Sequence, residues 1–104
     1  MSDLSLFSLN GKTAIVTGGT GVLGTAFCEG LAAAGAQVVI LGRRKEVGEE
    51  KAAALRSKGY KTLAVAADVL NFDHLEAAKE TIIKEYGRID ILVNGAGGNM
   101  PGAT

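Results

Sequence analysis

The stretch Thr17-Gly18-Gly19-Thr20-Gly21-Val22-Leu23-Gly24 constrains this chain more than any other part of it. Four glycines fall within eight positions, directly after a run of strand formers (residues 12–16) and directly before a run of small and apolar residues (25–34) that suits a helix. Early glycines permit a tight turn and any positive φ it needs. A middle glycine lets a bulky anion approach the main chain with no Cβ in the way, and the last lets the helix pack closely on the strand. The first turn of such a helix has amide N–H groups without intrahelical partners, and its dipole favours an anion. Gly19, Gly21 and Gly24 give G-x-G-x-x-G between strand and helix. We read this loop as a cradle for the pyrophosphate of a dinucleotide.

The rest of the chain repeats the unit. A strand at about residues 12–17 leads into a helix at about 22–34, with Leu23, Phe27 and Leu31 as its core stripe at i, i+4, i+8. A second strand at 37–41 precedes a helix at about 45–58, which buries Val47, Ala54 and Leu55 and turns Glu46, Glu49, Glu50 and Lys51 to water. A third strand at 62–67 precedes a helix at 72–86, with Leu75, Ala78, Ile82 and Tyr86 inward. Asn71 or Asp73 caps that helix, and Glu76 stands at capping-box spacing from Asp73. Gly35, Gly59 and Gly87 stop the three helices. Leu4, Leu6, Phe7 and Leu9 lie in a lead-in that ends in an Asn10-Gly11 turn.

A fourth strand at 89–94 completes the order βαβαβαβ. Continuously apolar strands joined through helices predict an α/β fold, a Rossmann-type doubly wound parallel sheet of strand order 3-2-1-4 with helices on both faces. Strand four then lies at an edge, although Ile89, Ile91, Leu92 and Val93 make it apolar enough for the interior. The expectation is that further strands belong beside it. Residues 1–104 then form the N-terminal half of a single dinucleotide-binding domain.

Composition narrows the function classes. Eleven basic and eleven acidic residues leave a formal net charge of zero, and the largest like-charge block is Arg43-Arg44-Lys45. Neither a nucleic-acid nor a membrane footprint is expected. The single cysteine, Cys28, excludes an internal disulfide, and with one histidine a metal site is not expected. Cys28 reads as a buried, inert thiol and His74 as a solvated polar residue near a helix start. The N-terminus lacks the pattern of a signal peptide, and no apolar run reaches the ~20 residues that span a bilayer. The expected location is the cytoplasm.

Four features together resemble the short-chain dehydrogenase/reductase family, and the resemblance covers nearly the whole chain. One is Thr17-Gly18-x-x-Gly21-x-x-Gly24, a form of that family's cofactor loop. The single-domain branch more often has T-G-x-x-x-G-x-G, whose middle glycine falls on Val22 here, so the branch stays open. Another is Asp68-Val69 after the third strand; the resemblance implies that Asp68 lies by the adenine and bonds its amino group, the alternative being a helix-capping or loop Asp. A further one is the run from Gly87 to Gly97, close to G-x-x-D-x-L-V-N-N-A-G but with Gly95 for the second asparagine. It implies that Asn94 and the backbone of Ala96 and Gly97 line the adenosine ribose, while Asp90 is either part of that pattern or a solvated strand-start residue. The last is Gly42-Arg43 at the end of the second strand, where an acid would select NAD. Gly42 leaves room for a 2′-phosphate and Arg43 can grip it with two charge-assisted bonds, which favours NADP(H) over NAD(H). The alternative is that Arg43, Arg44 and Lys45 only solvate a helix start.

The cofactor-binding residues expected on this reading are Gly18, Thr20, Gly21, Val22, Leu23, Gly24, Arg43, Asp68, Val69, Asn94, Ala96 and Gly97. The implied reaction moves a hydride between nicotinamide and a carbonyl or alcohol carbon, with a tyrosine exchanging the proton, a lysine four residues later and a serine orienting the substrate. Tyr60 is followed at that spacing by Ala64 and Tyr86 by Asp90, so no catalytic residue is assigned within the chain. The strings at 17–24 and 94–101 also resemble members acting on sugar acids such as mannonate and fructuronate. The partners expected are therefore a small carbonyl or alcohol substrate, a sugar acid among the candidates, and further copies of the full-length protein in a homo-oligomer. Two other readings stay open: a non-catalytic dinucleotide-binding or redox-sensing protein, and a sugar-nucleotide epimerase or dehydratase.

Overall fold

The computed structural model describes residues 8–18, 22–68 and 70–94. Along the chain these form β1 (Thr13–Thr17), α1 (Val22–Ala33), β2 (Gln37–Gly42), α2 (Lys45–Arg56), β3 (Thr62–Ala66), α3 (Phe72–Tyr86) and β4 (Ile91–Asn94). The four strands make one sheet in the order β3-β2-β1-β4, with every pairing parallel. Thr17 is level with Leu41 on one side and Asn94 on the other, and Gly42 with Ala66, so the carboxyl ends of the strands finish together.

β-Branched residues dominate the central strands because a pleated sheet covered on both faces offers them close packing. Val38, Val39 and Ile40 are all but fully buried. Each such side chain contributes roughly 1.5–3 kcal/mol of transfer free energy, set against the entropy of ordering the chain. Alternation along the strands divides the core in two. Ala14, Val16, Val38 and Ile40 pack with Cys28, Ala32, Ala52 and Leu55 of α1 and α2. Ile15, Val39 and Leu41 pack with Ala78 and Ile82 of α3. One pair of helices on one face and a single helix on the other is the doubly wound arrangement.

The helices bury smaller residues than their large apolar side chains predict. In α1, Gly24, Cys28 and Ala32 are buried, whereas Phe27 is 40% exposed and Leu31 only partly covered. In α2 the buried residues are Gly48, Ala52 and Leu55; Val47 is half-buried and Ala54 exposed. The reason is a close approach of helix to sheet: a Cβ added at Gly48 would meet Ala64 Cβ at 3.5 Å. α2 also ends at Arg56, two residues short of the predicted boundary, in a turn that Gly59 closes. In α3, Ala78 and Ile82 face the core as expected, Tyr86 is half-buried and Leu75 is 36% exposed.

Caps fix the connections. Asn71, not Asp73, is the N-cap of α3: its Oδ1 accepts from the His74 N–H at 3.1 Å. This leaves Glu76 outside capping-box position. Gly35 ends α1 at φ +106, with its N–H on Ala32 O and the Ala36 N–H on Leu31 O, the paired bonds of a Schellman turn. The predicted Asn10-Gly11 turn is present, closed by the Lys12 N–H on Leu9 O at 2.9 Å. Leu4, Leu6 and Phe7 lie outside the described residues. β4 starts at Ile91 rather than Ile89, although the Asp90 N–H already donates to Thr13 O at 2.9 Å.

Candidate functional site

An open parallel sheet leaves a crevice where its strands end at their carboxyl termini and the connections part to opposite faces. Here that crevice is a cleft of about 860 Å3. Thr17 and Gly18 border it from the end of β1, Gly42 and Arg43 from β2, Asp68 from β3, and Asn94 from β4. Gly18 turns out of β1 at φ +68, in the left-handed region that glycine enters without strain, and its N–H donates to Leu41 O at 3.3 Å.

Four residues singled out from sequence, Gly18, Arg43, Asp68 and Asn94, thus meet at one cleft although 76 positions separate the first from the last. Gly24 is buried within α1, on the side that carries Cys28 and Ala32. Val22 and Leu23 are the opening residues of that helix. Thr20, Gly21, Val69, Ala96 and Gly97 lie outside the described residues.

The lining of the cleft carries Arg43, Arg44 and Lys45, all exposed, and, as its one carboxylate among the described residues, Asp68 at the end of the neighbouring strand. A Cβ placed on Gly42 would meet nothing within 4 Å, so open space lies beside Arg43. Room, local positive charge and a guanidinium with no ion-pair partner among the described residues fit a phosphate group.

Around Asp68 the backbone is held by a compact set of bonds. Its N–H donates to His74 Nδ1 at 3.0 Å, its carbonyl accepts from the Asn71 N–H at 2.9 Å, and its Oδ1 accepts from the Leu70 N–H at 2.9 Å. His74 is exposed, as the sequence predicts, but it is not merely solvated. Its role is invisible to motif reading because it lies six positions from Asp68 with no fixed pattern between them. Thr17, read from sequence only as the first residue of the loop motif, has a further contact: its hydroxyl donates to Asn94 Oδ1 at 3.1 Å and ties β1 to β4 beside the cleft.

Asp90 lies away from the cleft and is structural. Its Oδ2 accepts from the Thr13 N–H at 2.9 Å, and both carboxylate oxygens bond the Arg88 guanidinium. The Arg88 bonds first, and the Thr13 amide second, hold its carboxyl below the usual value. Cys28 is 1% exposed, and burial pushes its thiol up to about 11, which keeps it protonated and unreactive. Tyr60 and Tyr86 sit at the amino ends of the strands, where they line a second, shallower hollow of about 670 Å3. Among the described residues no group of three or more His, Cys, Asp or Glu could hold a metal ion, and no helix is long and apolar enough to cross a membrane.

Comparison with known proteins bears on the family and the fold. A family model described as short chain dehydrogenase matches residues 12–104. A Bacillus subtilis protein named "Uncharacterized oxidoreductase UxuB" is 48% identical over 96 residues, covering 92% of this chain and 34% of that protein. A Haemophilus influenza protein provisionally named a D-mannonate oxidoreductase, solved with bound NAD, superposes with a TM-score of 0.85 at 31% identity, over 95% of this chain and 35% of that one. L-Sorbose reductase from Gluconobacter frateurii, solved with NADPH and L-sorbose, gives 0.81 at 37% identity, over 88% and 35%. The chain therefore spans about a third of the length of the relatives it matches.

Proposed function

Since this chain belongs to the short-chain dehydrogenase family, we propose that residues 1–104 form the N-terminal half of one dinucleotide-binding domain in an NADP(H)-dependent oxidoreductase. The observation that carries this reading is the convergence of Gly18, Arg43, Asp68 and Asn94 on one cleft, with open space at Gly42. When bound, the cofactor would supply or accept the hydride exchanged with a carbonyl or alcohol carbon.

Each residue then has a binding task. The main chain from Gly18 through Thr20 and Gly21 to the start of α1 (Val22, Leu23, Gly24) holds the pyrophosphate with amide N–H groups, which the helix dipole reinforces. Arg43 takes the 2′-phosphate through two parallel N–H bonds, and Gly42 leaves that phosphate room. Asp68 accepts from the adenine amino group beside Val69. Asn94, with the backbone of Ala96 and Gly97, meets the adenosine ribose. Proton exchange and substrate orientation fall to a serine, a tyrosine and a lysine in the two thirds of the family's length that these residues do not span.

The substrate class we favour is a sugar acid or a related polyol. The support is the pair of solved relatives, one provisionally a D-mannonate oxidoreductase and the other an L-sorbose reductase. We also favour a homo-oligomeric cytoplasmic protein, in keeping with the balanced charge and the single buried thiol.

The test is a titration of the intact protein with NADPH and NADH, followed by turnover on a panel of sugar acids. Tighter binding of NADPH is expected. Arg43→Ala should weaken NADPH about tenfold or more, the scale of losing one charge-assisted pair, while barely changing NADH. Equal losses for both cofactors would sink the phosphate assignment, and no binding of either would sink the whole reading.

A further inference from the structure

We propose that His74 is a positioning residue for the adenine end of the cleft, holding the main chain at Asp68 so that the Asp68 carboxylate is aimed at the bound base. The proposal rests on the dinucleotide reading of the cleft and adds to it a residue that no motif of the sequence marks.

The chain must turn sharply where β3 hands over to α3. The last sheet bond on this strand is the Ala67 N–H on Gly42 O, at 2.8 Å. One residue later the Asp68 N–H has passed the end of the ladder. The partner it finds is His74 Nδ1, at 3.0 Å. An imidazole nitrogen accepts only where it carries no proton, so the bond is made by the tautomer with its proton on Nε2.

His74 is itself well anchored. It lies in the first turn of α3, where its own N–H is taken by the Asn71 cap at 3.1 Å, and the same helix is pinned to the sheet through Ala78 and Ile82. The imidazole therefore couples a packed helix to a residue at the cleft. On the Asp68 side, the carbonyl and Oδ1 are engaged by Asn71 and Leu70. Oδ2 has no partner among the described residues, which leaves it an acceptor for a ligand's donor. Loss of the His74 bond loosens the peptide plane between Ala67 and Asp68, and the carboxylate, still tied to Leu70 through Oδ1, shifts with it away from the donor it has to meet. A misaimed acceptor costs most where it has to meet one particular donor, the exocyclic amino group of adenine.

The experiment measures affinities of the intact protein for ADP and for IDP, which lacks that amino group, in wild type, His74→Leu and His74→Gln. Leu fills similar space without an acceptor; Gln restores one through its carbonyl oxygen. The wild type should prefer ADP by about threefold to tenfold, one net hydrogen bond. His74→Leu should bring the ADP-to-IDP ratio close to unity, and His74→Gln should recover most of it. A merely structural role would weaken both nucleotides alike and leave the ratio unchanged. That result overturns the proposal, as does a wild type that does not distinguish ADP from IDP, or a His74→Gln variant as impaired as His74→Leu. In each of these cases retained NADPH binding leaves the dinucleotide reading standing. A wild type that binds no dinucleotide overturns both.

Discussion

Asp90 and Thr62 illustrate two opposite polar positions. Asp90 joins β4 to β1 through the Thr13 amide and binds the Arg88 guanidinium with both oxygens; its side chain is 18% exposed. Its carboxyl is held below the ordinary value of 3.8. A carboxyl depressed on folding stabilises the native state above its unfolded value, and that contribution is lost as the pH falls through the folded value. Asp90→Asn should therefore lower the denaturation midpoint at neutral pH, and the gap to wild type should close in acid below pH 3.8. A gap that persists unchanged into that range would show that the charge is irrelevant. Thr62 is 4% exposed, and its hydroxyl has no hydrogen-bond partner among the described residues. A buried unmet hydroxyl costs more than it returns, so Thr62→Val should raise stability by about 1 kcal/mol in urea titration. Neither position was fully legible. Sequence left Asp90 between two roles because its partner, Thr13, is 77 residues away, and nothing local distinguishes a satisfied threonine from an orphaned one.

At the level of elements, existence and type were readable and packing faces were less so. The 3.6-residue period of α1 supports two overlapping stripes, Leu23-Phe27-Leu31 and Gly24-Cys28-Ala32. Weighting by side-chain size selects the first, and the sheet selects the second because small residues let the helix axis approach. Two substitutions separate these stripes. Phe27→Ser, at a 40% exposed position, should change stability by less than about 1 kcal/mol, whereas Cys28→Phe should cost about 1–3 kcal/mol by overpacking against β1 and β2. The measurement is the thermal midpoint of each variant, and the reverse order would restore the larger stripe to the core. The α3 cap follows the same logic. Asn71 and Asp73 are both capping types, and only the turn out of β3 decides which carbonyl oxygen reaches an amide three residues on.

Across the whole molecule the topology followed from few rules. Right-handed crossovers and one glycine loop predict the order β3-β2-β1-β4, which in turn brings Gly18, Arg43, Asp68 and Asn94 to one end of the sheet. What the rules do not contain is the path of the connections, and so the His74 bond to Asp68 stayed hidden. The same topology leaves β4 at the margin. No described strand lies on its outer side, Leu92 is 69% exposed, and Phe72 and Ile83 of α3 are 72% and 41% exposed on that helix. An apolar strand with open amide and carbonyl groups is a template for pairing with another chain. The 104-residue chain by itself should therefore self-associate, its sedimentation coefficient rising with protein concentration. A charge on the edge opposes such pairing, since each new strand would have to desolvate it. Leu92→Lys should shift the distribution toward monomer without lowering the thermal midpoint, because Leu92 is not part of either buried cluster. A wild-type chain that stays monomeric across the concentration range, or a Leu92→Lys chain that associates just as strongly, would place the adhesive surface elsewhere or remove it altogether.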